Sequence, residues 1–166
     1  MPNMKVLSSD SHILEPPDLW TTRMDAKEFG DRIPHLVRGD PYDDWTVDGQ
    51  SVGVIGTSGS AGQRFENPEE INREGKYDTV RAGGSDAHER MKDLAMDGVY
   101  ADVLYPTFAM AMLGAVPACD LLRPVFSAYN DWLSEFCTSY PDRLKGIAVV
   151  LLADDLEAGI AELQRA

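Results

Sequence analysis

Positive charge is scarce in this chain. Its 15 lysines and arginines face 28 aspartates and glutamates, a formal net charge of −13 over 166 residues. A surface that negative repels phosphate backbones and anionic lipids, so neither nucleic acid nor a membrane surface is an expected partner. Cysteine is nearly absent too. Cys119 and Cys137 fall around the ends of one predicted helix, too far apart along its axis for a disulfide. Free thiols suit a reducing cytoplasm, which is the expected location. Met1 to Ser9 lacks the basic region and long apolar run of a secretion signal. No stretch approaches the roughly 20 apolar residues that cross a bilayer. Neither a GxGxxG nor a Walker-type phosphate loop occurs, which argues against a nucleotide site.

What is present is ordinary globular material, 43% hydrophobic and sufficient for one sizeable core. Lys5 to Ser9 reads as a short buried strand running into Asp10-Ser11-His12, and Glu15-Pro16-Pro17 ends it. Residues 24–84 read as an irregular excursion rich in glycine, proline and charge. Within it, Trp45 to Val52 is a predicted hairpin turning at Asp48-Gly49. The glycines between Val52 and Gly62 suggest a mobile surface segment near a site mouth.

Regular structure is predicted again from Asp86. Asp86 and Glu89 form a capping-box pair for a helix with Ala87, Met91, Leu94 and Ala95 on one face and Gly98 as its stop. A second strand covers Val99 to Tyr105 and ends at Pro106. A long helix follows from about Asp120 to Cys137, with Leu122, Val125, Phe126, Tyr129, Leu133 and Phe136 at helical spacing. A third strand is predicted over Leu144 to Leu152. Asp154 and Glu157 then open a helix with Leu156, Ile160 and Leu163 on one side. Strands alternating with helices imply an α/β fold with parallel pairing.

The strongest chemical signal is the first strand's end. Alternate strand residues share a face, so Asp10 and His12 project together, and a carboxylate beside an imidazole can hold one divalent cation. A capping Asp10 and a hydrogen-bonded His12 would give the same local pattern.

Ser9-Asp10-Ser11-His12-Ile13-Leu14-Glu15-Pro16 resembles the opening of the amidohydrolase-related family, which includes aminocarboxymuconate-semialdehyde and resorcylate decarboxylases. Two later segments are similar in the same order: Arg90 to Leu94 through Gly98 to Pro106, and Tyr129 to Leu133 through Tyr140 to Leu144. The resemblance implies a metal-dependent (β/α)8 barrel whose first ligands here are Asp10 and His12. Zinc is the first expectation for the metal and manganese the second. The implied reaction is hydrolysis or non-oxidative decarboxylation of a small carboxylated or cyclic substrate. Relatives by resemblance are often dimers, so a homo-oligomer is expected.

The chain departs from the pattern in two ways. Asp10 stands where many members carry a first histidine. Only about three β/α units are legible, against roughly 250 residues for a typical barrel. The expectation is therefore an incomplete barrel domain over 1–166, with the alternative of a catalytically incomplete fragment or interaction module that needs the rest of the barrel or a partner. The family's later ligands and acid/base group have no counterpart in these segments. His35 and His88 read as surface residues. Glu15 is a candidate to orient His12 or reach substrate, or else a solvated loop residue. Tyr105 and Thr107 are candidates for the site mouth, and Met110, Met112 and Leu113 for an apolar wall or the core.

Overall fold

The structure, a computed structural model, describes residues 4–62, 68–70, 75–116 and 119–166. Three strands, β1 (Leu7–His12), β5 (Ala101–Tyr105) and β6 (Leu144–Gly146), form a parallel sheet in the order β1-β5-β6. Strands that follow one another in this β/α series are thus neighbours in space, and helices carry the chain between them. Two short helices, α1 (Leu19–Arg23) and α2 (Ala26–Phe29), follow β1; the helix α3 (Ala87–Asp97) precedes β5, while α4 (Phe108–Ala115) and α5 (Cys119–Thr138) connect β5 to β6. After β6 comes α6 (Leu156–Arg165).

The apolar rows behave as their spacing demands. On α5, Leu122, Val125, Phe126, Tyr129, Leu133 and Phe136 are all buried. On α3, Ala87 and Leu94 are buried, Asp86 accepts the N–H groups of His88 and Glu89, and Gly98 ends the helix in the left-handed conformation at φ 69°. The Glu89 side chain does not close the predicted capping box. It pairs with Lys92 instead.

The excursion is more ordered than its composition suggests. Its predicted hairpin is present as β3 (Asp44–Val47) and β4 (Gln50–Val54), joined by Asp48 and Gly49 at positive φ. A further strand, β2 (His35–Val37), pairs antiparallel with β3. Trp45 and Val47 are fully buried, and the Trp45 ring meets Trp20 edge-on at 5.1 Å and Phe108 at 5.6 Å. Hairpin and parallel sheet therefore share one core. The excursion returns to the first strand's exit, where Leu14 N–H donates to the Gly84 carbonyl at 2.8 Å. Residues 63–67 and 71–74 of the predicted excursion lie outside the described residues.

Four expectations need correction. The first strand is not buried: Val6 and Leu7 are exposed, and β1 lies at the edge of its sheet. The third strand is three residues long and does not reach Leu152. Its partner β5 ends at Tyr105, because Pro106 has no N–H to continue a ladder. Val149 is satisfied by a side chain instead: Asn130 donates to its carbonyl at 3.0 Å and accepts its N–H at 2.9 Å. The N-cap of α6 is Asp155, accepting from Ala158 N–H, while Asp154 pairs with Arg123. Finally, the apolar side of α6 faces outward. Leu156, Ile160 and Leu163 are exposed, and the helix is held by its other side through Glu162 to Asn130, Arg165 to Asp131, and Gly159 against Leu151 and Leu152.

Among the described residues, no helix is long and apolar enough to cross a membrane.

Candidate metal centre

Asp10 and His12 lie at the C-terminal end of β1, and both are exposed. The strand carries a register shift between Ser8 and Ser11, yet the two side chains still converge. His12 Nε2 and Asp10 Oδ1 stand 3.9 Å apart, with the His12 side chain 47% and the Asp10 side chain 83% exposed. Bonds of about 2.0–2.2 Å in a tetrahedral shell set neighbouring ligand atoms roughly 3.4 Å apart. A small side-chain rotation brings the pair to that spacing, and exposure on this scale leaves room for it.

The other imidazole nitrogen is committed. His12 Nδ1 lies 3.0 Å from the Pro106 carbonyl, with Thr107 Oγ1 at 3.4 Å. A carbonyl can only accept, so this contact requires Nδ1–H and, in the neutral ring, leaves the Nε2 lone pair free on the side of Asp10. Outer partners of this kind orient ligating histidines in metal sites. The donor set therefore fits a divalent cation as two of its ligands. Among the described residues there is no cluster of three or more histidine, cysteine, aspartate or glutamate side chains, so these segments supply no third.

The junction between β5 and α4 makes this arrangement. Pro106 stops the ladder and presents its carbonyl to His12. Thr107 Oγ1 donates to the Ile13 carbonyl at 2.6 Å, and Ile13 N–H donates to the Tyr105 carbonyl at 3.0 Å, so β1 and β5 are stitched at the point where the site opens. Glu15 lies beneath. It is completely buried and accepts N–H groups from Thr107 at 3.1 Å, Phe108 at 3.1 Å and Ala109 at 2.9 Å. Burial pushes its pKa up, while the Ala109, Phe108 and Thr107 N–H groups act against that rise. Glu15 is neither a solvated loop residue nor in contact with His12. It caps α4.

A cavity of about 210 Å³ adjoins His12, lined also by Thr107, Ile13, Leu14, Arg81 and Arg90 and by Ser58 and Ala61 of the excursion, among others. Thr107 is on its lining and Tyr105 is not, although the Tyr105 ring lies 6.0 Å from that of His12. Met112 is fully buried core, whereas Met110 and Leu113 are exposed. A cleft of about 300 Å³ between α5 and β6 has neither Asp10 nor His12 on its lining.

Arg90 was not foreseen, although its signal is readable. It shares the inward face of α3 with Ala87 and Leu94, three residues after one and four before the other, which is an odd place for a cation unless an acid faces it. Asp102 on β5 does. His35 is half-buried and engaged at both nitrogens, to the Ile33 carbonyl and Thr46 Oγ1, and His88 contacts the Tyr140 hydroxyl. Both are structural and apart from the site.

The comparison that decides the fold is with a crystal structure of an amidohydrolase from Mycobacterium avium subsp. paratuberculosis K-10. It matches over 99% of this chain with a TM-score of 0.69 at 17% sequence identity. The fold is amidohydrolase-like. This chain spans 47% of that structure's length, about half. No family model matches the sequence, and no curated protein matches it.

Proposed function

We propose that this chain is the first-ligand portion of a metal-dependent (β/α)8-barrel enzyme, acting in the cytoplasm on a small carboxylated or cyclic molecule by hydrolysis or non-oxidative decarboxylation. The observation that carries the reading is the facing of His12 Nε2 and Asp10 Oδ1 across 3.9 Å, with Nδ1 already engaged by Pro106. Zinc suits a nitrogen–oxygen pair of this kind and manganese is the second choice. When bound, such a cation supplies positive charge where negative charge develops on substrate or attacking water. His12 and Asp10 hold the ion. The adjoining cavity receives the substrate between apolar residues Ile13, Leu14 and Val80, with Arg81, paired to Asp93 on the same lining, and Thr107 as its polar neighbours.

Metal content per chain is the test. The complete polypeptide, with the remaining ligands in place, is expected to carry zinc or manganese stoichiometrically, and His12→Ala to lose it. Equal metal in both removes the proposal.

A second reading is favoured by the outward apolar side of α6, where Leu156, Ile160 and Leu163 are exposed beside Leu152. A surface of that kind ordinarily meets another element or partner. On this reading the unit is catalytically incomplete until covered, or forms a homo-oligomer. Sedimentation of the isolated chain separates the two: association or aggregation supports it, and a stable monomer that turns over substrate refutes it.

A further inference from the structure

Glu15 is the least expected group near the pair. A fully buried carboxylate is costly unless its oxygens are satisfied, and here backbone satisfies them, through three consecutive N–H groups at 2.9–3.1 Å. Those N–H groups belong to Thr107, Phe108 and Ala109, which follow directly on Pro106. Fixing them fixes the peptide that carries the Pro106 carbonyl, and it fixes the Thr107 hydroxyl. Both groups approach the same atom, His12 Nδ1, at 3.0 and 3.4 Å.

We propose that Glu15 is a positioning residue for His12: by anchoring the backbone of 107–109, it holds the Pro106 carbonyl against Nδ1 and so reserves the Nε2 lone pair for the side facing Asp10. Glu15 acts through the junction and touches neither the imidazole nor the cation. The role builds on the metal reading for its purpose, but the tautomer itself is a property of the metal-free chain.

That separation sets the experiment. Imidazole nitrogen shifts of His12 are recorded by nitrogen-15 NMR on metal-free protein at about pH 8.5, above the ordinary imidazole range. Wild type is expected to show a single Nδ1–H tautomer, and an Nε2–H tautomer there overturns the proposal without any variant. Glu15→Gln places an amide where one N–H group needs an acceptor, and Glu15→Asp keeps the charge but withdraws it by one methylene. In whichever variant folds, the two His12 tautomers are expected to mix, and the amides of 107–109 to exchange faster.

A purely structural Glu15 would lower stability and leave the tautomer as in wild type, and that result overturns the proposal. Zinc titration is run in parallel. A loss of roughly 10- to 100-fold in affinity is expected when an outer partner of a ligating histidine is lost. If wild type takes up no zinc while the tautomer still responds to Glu15, the metal reading falls and the positioning role stands.

Discussion

Arg90 on α3 donates to Asp102 on β5 through both Nε, at 2.8 Å, and Nη2, at 2.7 Å, with the Asp102 side chain 1% exposed. The third arm of the guanidinium reaches the His12 carbonyl at 3.2 Å. One cation therefore ties the helix, the central strand and the strand that carries the site.

Removing Arg90 leaves a buried carboxylate without its partner. Asp102 Oδ1 already has no hydrogen bond among the described residues, so nothing there compensates. Arg90→Met is expected to cost about 3–5 kcal/mol in urea unfolding. Arg90→Met with Asp102→Leu should recover most of that loss, because two apolar groups need no pairing. A single variant as stable as wild type would show that the pair contributes nothing.

Asp43 carries the clearest pH dependence. It is buried in the excursion, where desolvation pushes its pKa up but is outweighed by the Tyr77 N–H, the Arg38 guanidinium and the Gly39 N–H, leaving it below the usual aspartate value. A carboxyl lowered in the folded state adds stability above its unfolded pKa, near 3.9, and loses that contribution as pH falls through the folded value. Asp43→Asn should therefore be less stable than wild type at neutral pH, and the gap should close progressively below about pH 4. Thermal melts across that range check it, and a gap independent of pH refutes it.

Trp45 tests whether the hairpin belongs to the core. Trp45→Ala is expected to cost about 3–5 kcal/mol, the range for deleting a buried aromatic. Trp45→Phe should cost much less, since the indole N–H is buried without a partner among the described residues and its loss leaves nothing unpaired. A near-neutral alanine variant would mean that the excursion detaches without consequence for the sheet.

Zinc should stabilise the chain through the pair. At a free concentration about 100 times its Kd, binding contributes roughly 2.7 kcal/mol, visible as a rise in thermal midpoint that a chelator reverses. Asp10→Asn and His12→Ala are each expected to abolish most of the rise. An undiminished rise in both variants would assign the zinc to some other place.

Much of this architecture is legible in the residue order, and the exceptions have identifiable causes. The six residues that helical spacing picks out on α5 are all buried, and Asp48-Gly49 announces its turn, because both signals are local. The strand β2 escapes notice because His35 to Val37 is short and gains its order only from pairing with β3. The third strand is overestimated because an apolar run says nothing about whether a partner strand continues beside it. The orientation of α6 is missed because Glu162 and Arg165 outcompete three apolar side chains through bonds to Asn130, Ser127 and Asp131, which lie more than thirty positions away. At the site, Asp10 and His12 stand out from the sequence. The Pro106 carbonyl and the three N–H groups around Glu15 are main-chain atoms, and no choice of side chain announces them.

The contact between His12 and Pro106 joins two segments 94 positions apart across a parallel ladder in which His12 lies opposite Tyr105. Sliding β5 by a single residue would turn the Pro106 carbonyl that follows it away from the imidazole and leave the ring free to rotate. Correct alignment of the two strands is thus a precondition for presenting Nε2 outward. The imidazole becomes a built-in gauge of whether the sheet has assembled in the right frame.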